Sequence, residues 1–353
     1  MIATERATID RPVEFVGRGL HEGRSTRLRL QPAEAGTGIR FVRDDIGAHA
    51  AVPARIEYRV PAPRRTQLRC GEAVVHTVEH LLAAVHALGI TDLEIAIDAE
   101  EVPGADGSAA PFVRLLREAG RRPLAGAVPV LQLDRVLELE GPGGERIVAL
   151  PNPGGLRLGY ALALPSVGVR SRVEFVCEQQ RLCEEVLPAR TFCRAADVPR
   201  LRAAGLGKGA NTDNTLVIDE HGQPIDNTLR FEDEYARHKL LDLFGDLSLL
   251  GARLEARVLS SRGGHELNAQ MCRALAARLA AGPERLPPVT ASDRPLVRPE
   301  TLRQAADGSW EAEVVVGEAA CRGHFPGAPV IPGVVSLAAL LETAACGLGL
   351  GRG

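Results

Sequence analysis

The sequence predicts two similar domains that each combine a helix with a strand, and three observations support this. A helical pattern, a glycine and a strand pattern follow one another at residues 76–97, around Gly89. The same order recurs at residues 238–259, around Gly251. The chain has 353 residues, which is enough for two or three domains of ordinary size. The repeated order predicts that each domain offers one helix with a histidine at a comparable point.

The composition is typical of a soluble globular enzyme. Hydrophobic residues make up 45%, and 42 Lys+Arg against 45 Asp+Glu give a net charge of only -3, which argues against nonspecific binding to nucleic acid or anionic membranes. Seven cysteines without a Cys-x-x-Cys pair indicate a reducing compartment. The N-terminus has no apolar run behind a basic segment, and no stretch reaches about 18 apolar residues. We therefore expect a cytoplasmic protein with no transmembrane segment and no nucleic-acid partner.

The first half of the chain opens with strands. Residues 13–16 and 25–30 alternate apolar and polar side chains, as half-buried strands do. Between them lies Gly19-Leu20-His21-Glu22-Gly23, a turn that holds a histidine between glycines. An ordinary surface turn is the simpler interpretation of His21, and a functional role is the alternative.

A helix is predicted over residues 76–90. Thr77 is its predicted N-cap, and Gly89 is its predicted C-terminal cap. Glu79 and His80 lie beside the apolar face of this helix. The first domain then continues through a strand into a second helix.

The end of the first domain is predicted near residue 126. A strand at residues 92–97 is followed by a turn at 102–112, which leads into a helix through about Glu118. Gly126 and Pro129 bracket the boundary. Strands are then predicted to resume in the second half.

The second half is predicted to contain strands at residues 130–133 and 146–150. The Gly- and Asn-rich loop at 205–211 is not a phosphate loop, because it lacks both a preceding strand and the Gly-Lys-Ser/Thr ending. Prolines recur from Pro283 onwards, which predicts a linker at residues 282–295.

The helix predicted over residues 231–247 carries a polar stripe. His238, Asp242 and Asp246 stand at i, i+4 and i+8 and therefore share one face, while leucines and Phe244 form the opposite face. An imidazole and a carboxylate one turn apart suit two ligands of one zinc ion. The alternative is an exposed helix with ordinary surface charge.

Other residues could complete a catalytic zinc site, which needs three protein ligands and an open position for water. His80 is the natural third ligand, and Glu79 beside it is the candidate carboxylate base. His265 follows Gly263-Gly264, where the chain can approach a ligand closely, and is the candidate general acid. Taken singly, His80 and His265 are more simply explained as structural histidines; the combination favours a site.

Six blocks of the chain resemble the signature blocks of the zinc-dependent UDP-3-O-acyl-N-acetylglucosamine deacetylase family of lipid A synthesis. They occur in the family's order and spacing over about residues 5–280. The blocks are TVEHLLAA at 77–84, DGSAAPF at 106–112, ARTF at 189–192, LRFEDE at 229–234, RHKLLD at 237–242 and GHELN at 264–268.

The resemblance implies two α+β domains, each a sheet with two helices, whose helical layers face each other around a zinc cleft. It also implies an insert in the second domain that forms an apolar passage for the acyl chain. In this sequence the predicted parts are domain I at 1–126, domain II at 127–281 with the insert at about 193–220, a linker at 282–295 and a further segment at 296–353.

The resemblance also implies the roles of the site residues. It makes His80, His238 and Asp242 the ligands of Zn²⁺. It makes Glu79 the general base that takes a proton from the attacking water, a role that contributes roughly 10²–10⁴-fold in rate. The substrate implied is UDP-3-O-[(3R)-3-hydroxyacyl]-N-acetylglucosamine, which loses acetate from its acetamide group.

Further residues of the site follow from the same resemblance. Thr191 and protonated His265 would stabilise the oxyanion together with zinc, and Asp246 would orient His265 and keep it cationic. The residues implied to contact substrate are Leu20, His21, Phe192 and Lys239. The family often has a lysine near residue 145 that contacts the nucleotide; this chain has Gly144-Glu145-Arg146, and whether Arg146 takes that role is open.

The C-terminal segment carries a separate resemblance. GHFPGAPVIPGV at residues 323–334 resembles the active-site turn of hotdog-fold 3-hydroxyacyl-carrier-protein dehydratases, and His324 matches the catalytic histidine. The acidic partner falls at Ala338, and residues 296–353 are too few for a complete hotdog domain. We therefore predict an incomplete hotdog-like segment without dehydratase activity, which could pair with another chain or contact an acyl carrier protein.

Two other functions compete with the deacetylase. One is a bifunctional deacetylase and dehydratase, against which Ala338 argues. The other is a non-catalytic regulator that binds nucleotide sugars or acyl groups. All the predicted catalytic and metal-ligating residues are present. This argues against the regulator, because a protein that has lost its enzymatic activity usually lacks at least one such residue.

Overall fold

The computed structural model describes residues 5–47 and 50–282, together with four two-residue strands between residues 296 and 315. The chain divides into two compact units, Met1–Pro283 and Glu284–Gly353. The first unit holds all the predicted site residues. Among the described helices, none combines the length and the apolar character that crossing a membrane requires.

The first half of the large unit is a five-stranded sheet with two helices. The strands of this half are β1 (Glu5–Ile9), β2 (Val13–Arg18), β3 (Ser25–Pro32), β4 (Ile39–Arg43), β5 (Ala51–Pro53), β6 (Arg59–Val60), β7 (Gln67–Cys70), β8 (Ala73–His76), β9 (Leu93–Ile97) and β10 (Arg121–Ala127), and the helices are α1 (Glu79–Ala87) and α2 (Ala110–Ala119). The five-stranded sheet has the order β2-β3-β9-β4-β5. The strands β6, β7 and β8 form a separate three-stranded sheet, and β1 pairs with β10.

The second half is a six-stranded sheet that also carries two long helices. The strands of this half are β11 (Val130–Gln132), β12 (Leu137–Glu140), β13 (Arg146–Pro151), β14 (Leu156–Leu164), β15 (Val169–Val176), β16 (Phe192–Arg194), β17 (Leu216–Ile218) and β18 (Arg253–Ser261), and the helices are α3 (Gln179–Arg181), α4 (Val198–Ala203), α5 (Glu234–Leu247) and α6 (His265–Ala281). The six-stranded sheet has the order β12-β13-β18-β14-β15, with β11 pairing with β18. The strands β16 and β17 pair with each other outside this sheet.

The alternation of side chains explains both sheets. In β3, Leu28 and Leu30 are fully buried while Arg27 and Arg29, which alternate with them, are exposed, so one face covers the core. In β18 each buried residue is followed by a more exposed one along the whole strand. The strands predicted at residues 13–16 and 25–30 are confirmed as β2 and β3.

The two halves meet where α1 packs against α5. The helices approach closely at Gly245, because a Cβ atom there would lie 2.2 Å from the Glu79 carbonyl oxygen. The predicted α+β fold, with two similar halves whose helices face each other, is confirmed. The repeated helix–glycine–strand order is also present, since Gly89 and Gly251 both adopt positive φ, +65° and +61°.

One helix boundary differs from the prediction. The helix predicted at residues 76–90 is α1 at Glu79–Ala87, and the predicted N-cap Thr77 is wrong. Thr77 has φ +58° and makes no cap hydrogen bond to α1. Its hydroxyl instead bonds to the buried side chains of His76 and Glu101, at 3.1 and 3.3 Å. Gly89 follows the last turn as predicted and donates its N–H to the carbonyl of His86.

The C-terminal unit is described only as four short strands. Leu296–Val297 pairs with Val314–Val315, and Arg303–Gln304 pairs with Trp310–Glu311, both antiparallel. The predicted linker from residue 283 on, the turn at 323–334 and the helix that follows lie outside the described residues.

Candidate active site

A cavity of about 600 Å³ opens in the large unit and is lined by residues from both halves. Every site residue predicted from the sequence lines it except Asp246, which lies behind His265. Elements far apart in the chain build this cavity, chiefly the starts of α1 and α6 and one face of α5. A single concave site thus collects the predicted residues.

Three potential metal ligands converge at its base. The donor atoms of His80, His238 and Asp242 all lie within 4.8 Å of one another. His80 Nε2 and His238 Nε2 lie 3.6 and 3.4 Å from Asp242 Oδ1. The two imidazole rings stand edge to face, with centroids 5.0 Å apart.

These separations fit a tetrahedral metal ion. Bonds of about 2.0–2.1 Å place tetrahedral ligands about 3.3–3.4 Å apart, which is close to the distances between Asp242 and the two histidines. His238 Nδ1 lies 3.1 Å from the Ala189 carbonyl oxygen, to which it can donate, leaving Nε2 with its lone pair toward the cluster. Burial lowers the pKa of His238 to about 4, so the ring is neutral at pH 7.

The potential ligand Asp242 is also held by Lys239. The Lys239 ammonium donates to Asp242 Oδ2 at 2.7 Å, which leaves Oδ1 toward the histidines. Burial alone would raise the pKa of Asp242, but Lys239, His238 and His265 outweigh it and hold the pKa well below its ordinary value. Asp242 is therefore a carboxylate, as a metal ligand requires.

A carboxylate and an imidazole face each other beside the ligands. Glu79, the first residue of α1, places Oε1 3.7 Å from Nε2 of His265, the first residue of α6. Burial raises the pKa of Glu79, although His265 and His80 oppose the shift. Burial disfavours a charged His265, but Asp246, Glu79 and Asp242 raise its pKa to about 9, so the ring is protonated at pH 7.

Asp246 anchors His265 from behind. Its Oδ2 lies 2.8 Å from His265 Nδ1 and accepts the amide of Asn268 at 2.9 Å. The hydroxyl of Thr66 donates to Asp246 Oδ1 at 2.5 Å, and the backbone N–H of Thr66 donates to Glu79 Oε2 at 3.1 Å. Thr66 is therefore hydrogen-bonded to both carboxylates, that of Glu79 beside the potential metal ligands and that of Asp246 behind His265.

Thr66 and Asn268 were missed as functional residues by sequence reasoning. Thr66 contacts Asp246 across 180 positions of chain, and its neighbours Arg64-Arg65 belong to no helical or strand pattern. Asn268 stands within the GHELN block and three positions after His265, on the same face of α6, so helical spacing could have found it.

The other predicted residues line the cavity walls. The Phe192 ring packs against Tyr235 and His238, with centroid distances of 5.0 and 6.1 Å. Thr191 lines the cavity, and its hydroxyl has no hydrogen-bond partner among the described residues. Thr191 is fixed by its backbone, which exchanges bonds with Gly107 and Leu216. Its hydroxyl is free to donate to a bound molecule.

His21 also reaches the cavity and is more than a surface turn. Burial and the nearby Arg65 lower its pKa to about 3, and Nδ1 has no partner within the described part of the chain. The loop is held by the buried Glu101, whose carboxylate accepts the N–H of His21 at 2.6 Å and that of Glu22 at 2.7 Å. Gly19 is needed here, since a Cβ would lie 2.2 Å from Glu101 Oε2.

One arm of the cavity is apolar and another is basic. The apolar arm is built by the end of β14 and by the segment around α4, which lies inside the insert predicted at about 193–220. Its lining residues are Leu162, Leu164, Leu201, Leu206 and Ala210.

Two arginines, Arg64 and Arg262, also line the cavity. Arg146 does not belong to this lining; it lies on the β12–β13 hairpin and pairs with Glu140 at 3.3 Å. Arg146, whose contact with the nucleotide the sequence left open, therefore lies outside the lining of this cavity.

The chain is similar to proteins of one family over most of its length. The family model for UDP-3-O-acyl N-acetylglycosamine deacetylase matches residues 6–277. Curated relatives carry the name UDP-3-O-acyl-N-acetylglucosamine deacetylase. The chain is 39% identical over 267 residues to that of Anaeromyxobacter sp. strain Fw109-5, covering 75% of this chain and 86% of the relative.

Two further relatives carry the same name. Identity is 39% over 277 residues to the deacetylase of Thermosynechococcus vestitus, covering 78% of this chain and 95% of the relative. It is 36% over 274 residues to that of Helicobacter pylori, covering 77% and 92%. The matched part is the unit that contains the cavity.

Proposed function

The chain belongs to the UDP-3-O-acyl N-acetylglycosamine deacetylase family, and from that premise we propose its reaction. We propose that it is a zinc-dependent amide hydrolase of lipid A biosynthesis. Its substrate is UDP-3-O-[(3R)-3-hydroxyacyl]-N-acetylglucosamine, from which it releases acetate and leaves a free amine.

One observation carries the proposal: the three buried donors converge beside a carboxylate and a protonated imidazole that face each other. Metal-assisted amide hydrolysis needs a Lewis acid, a base for water and an acid for the leaving nitrogen. His80, His238 and Asp242 would hold the zinc ion. When bound, the ion would supply Lewis acidity to the attacking water and to the acetamide carbonyl.

Glu79 and His265 would move the protons. Glu79 Oε1 accepts a proton from the water that attacks the acetamide carbon. His265 Nε2, 3.7 Å from that oxygen, donates its proton to the departing amine nitrogen. Asp246 keeps His265 charged through Nδ1, so the proton available for transfer stands on Nε2. After the C–N bond breaks, Glu79 holds the proton taken from water and His265 is neutral; return of that proton from Glu79 to His265 Nε2 would restore both groups. The acetic acid formed loses its own proton to the amine or to solvent, which leaves acetate.

Thr191 and His265 would stabilise the oxyanion of the tetrahedral intermediate. The Thr191 hydroxyl has no competing partner among the described residues, so its donation to the oxyanion breaks no bond within that part of the protein. Preorganised donors in a buried site are worth more than the same donors in water. Burial of Glu79, His80 and Asp242 supports this argument.

The walls of the cavity fit the remaining parts of the substrate. The apolar arm suits the acyl chain, Phe192 offers a ring face to the sugar, and Leu20 and His21 line the opposite edge. Lys239 contributes through Asp242 and lies at the cavity surface. Arg262 and Arg64 offer cations to the diphosphate.

The proposed setting is the cytoplasm, where nucleotide sugars are substrates. A partnership with an acyl carrier protein stays a prediction from the sequence of residues 323–334.

The division of the large unit into domains at about residue 126 is likewise a proposal. It is supported by the pairing of the strands, because β10 pairs with β1 whereas the next strand, β11, pairs with β18.

The test replaces Glu79. We expect Glu79→Gln to lower acetate release by roughly 10²–10⁴-fold, because the base is lost while the metal donors stay. Mass spectrometry of substrate and product, with zinc quantified on the same sample, measures both. We expect about one zinc per chain in wild type and variant.

Glu118→Gln is the matched control, since Glu118 is exposed on α2. It should leave activity unchanged. Full activity in Glu79→Gln would remove Glu79 from the mechanism. Tight binding of the substrate by the wild type without any acetate release would favour the non-catalytic regulator instead.

A further inference from the structure

A second cavity, of about 220 Å³, lies at the other ends of the helices that build the active site. α1 begins at Glu79 in the active site and reaches this cavity with His86, about 10 Å further along the helix axis. The segment after α5, residues 248–253, forms another wall. The cavity shares no lining residue with the active site.

The charged side chains of its lining, those of Arg6, Arg55 and Arg253, are all cationic. Arg6, Arg55, Arg253 and His86 all contribute to the walls, and no Asp or Glu belongs to the described lining. Such an excess of cationic donors in a concave site favours an anion.

Two of these arginines have donors to spare. Arg6 is neutralised by the fully buried Asp92 at 3.0 Å. The side chain of Arg55 makes no hydrogen bond within the described residues, and its nearest carboxylate, that of the exposed Glu57, is 3.7 Å away. Arg253 is 3.3 Å from Glu255 without a hydrogen bond. A planar guanidinium has five N–H donors, so both can still bind an anion.

His86 adds a neutral polar group. Its ring packs against Phe244 at 5.0 Å, and neither ring nitrogen has a hydrogen-bond partner among the described residues. Burial lowers the pKa of His86 to about 4, so at pH 7 the ring offers one N–H and one lone pair.

The rest of the lining is largely apolar. Its side chains come from both halves of the large unit, and include Ile39, Leu82, Val85, Ile90 and Val128. A cavity of about 150 Å³ holds benzene, with six non-hydrogen atoms. A volume of 220 Å³ therefore suits about nine, well below the size of the deacetylase substrate.

We propose that this cavity binds a small amphipathic anion, with a carboxylate or phosphate headgroup at Arg55 and Arg253 and a short hydrocarbon body against the apolar wall. The site is separate from the deacetylase centre and does not depend on the proposed reaction. A carboxylate and a phosphate monoester share the chemistry that the arginines recognise, and the two are separated by experiment.

Isothermal titration calorimetry of the full chain tests the proposal with four probes. Hexanoate and butyl phosphate carry an anion on a short chain, 1-hexanol carries the chain alone, and inorganic phosphate carries the anion alone. We expect at least one amphipathic anion to bind more than about tenfold tighter than either half probe, because both kinds of contact are needed. Binding of hexanoate alone, butyl phosphate alone or both identifies the headgroup class.

Variants assign the binding to this cavity. Arg55→Gln should weaken binding by roughly tenfold, and Arg55→Lys should recover part of it. Arg172→Gln, an exposed arginine on β15 with 71% of its side chain accessible, is the matched control and should have no effect. Arg55 has 46% of its side chain accessible, so its replacement leaves the fold intact, which a melting curve verifies. Arg253→Gln is the second variant that tests whether the probe binds in this cavity.

Three results would overturn the proposal. The first is that none of the probes binds. The second is that 1-hexanol binds as tightly as the anions. The third is that binding survives Arg55→Gln and Arg253→Gln but is lost in Phe192→Ala, which would place the probe in the active-site cavity.

Discussion

The helices α1 and α5 occupy corresponding places in the two halves, yet they deliver their polar groups to the site differently. α5 presents His238, Asp242 and Asp246 as one stripe, because residues four apart share a helix face. α1 contributes adjacent residues, Glu79 and His80, from its first turn. Neighbouring residues on a helix point about 100° apart. The relative positions of the three α5 side chains thus follow from the helix itself. The positions of Glu79 and His80 depend instead on the residues that precede α1.

The start of α1 is set by a strained residue held in a buried network. Thr77 has φ +58°, a conformation that costs a β-branched residue on the order of 1–3 kcal/mol. Its hydroxyl bonds to His76 and Glu101, and Glu101 also holds the backbone of the His21 loop. The difference teaches that a periodic helix face can place two potential metal ligands by its spacing alone, while a base placed at a helix start needs support from outside the helix.

The largest effect is expected from replacing a potential metal ligand on α5. We expect His238→Gln to lower deacetylase activity by at least about 10³-fold and to lower the zinc content per chain. A catalytic metal supplies several kcal/mol of transition-state stabilisation, and each 1.36 kcal/mol is tenfold in rate. Zinc content and acetate release on the same sample are the measurements, and a chelator should reproduce the loss in the wild type.

His221→Gln is the control for this experiment. His221 is exposed, with 77% of its side chain accessible, and lies outside the cavity lining. It should keep both zinc and activity. Unchanged zinc content in His238→Gln would remove His238 from the proposed ligand set.

The same contrast explains what the sequence could predict. The stripe on α5 follows from spacing alone, and the repeated helix–glycine–strand order correctly predicted two similar halves. The surroundings of α1 do not follow from spacing, because Thr66 and Glu101 reach the site through contacts between segments distant in the chain. The wrong N-cap at Thr77 has the same origin, since the residue pattern of a cap is present but its hydroxyl is engaged by His76 and Glu101.

A smaller effect is expected from weakening the hydrogen-bond network around Glu101, which lies next to the start of α1. In the wild type the two oxygens of Glu101 accept the N–H groups of His21 and Glu22, at 2.6 and 2.7 Å. Glu101→Gln replaces one of these oxygens by an NH₂ group that cannot accept, so one of the two N–H groups loses its partner. We expect kcat/KM to fall by roughly tenfold, chiefly through KM, because Leu20 and His21 line the cavity. Steady-state kinetics and zinc content measure this.

The metal should stay in Glu101→Gln, since no ligand is touched, and this separates positioning from general damage. Glu101→Asp, which keeps both acceptor oxygens, should recover part of the activity. A fall in kcat alone, or zinc loss equal to that of His238→Gln, would contradict a role through the His21 loop.

The smallest effect concerns the far end of α1 and appears in stability, not in catalysis. The pKa of His86 is about 4 in the folded chain against about 6.5 unfolded, because burial disfavours the charged ring. The unfolded state therefore binds more protons between these values, so the folded state loses stability as pH falls from 6.5 toward 4. Between pH 8 and pH 5 this loss is about 2 kcal/mol.

His86→Phe keeps a ring against Phe244 and removes the titration. The free energy of unfolding, measured by urea denaturation at pH 8 and pH 5, should therefore fall by about 2 kcal/mol less in the variant than in the wild type. Because His21, His76 and His238 also have lowered pKa values, only this difference between the two proteins isolates His86. Equal losses in both would mean that His86 is hydrated in the folded state, and that the end of α1 is open to water where its start is sealed.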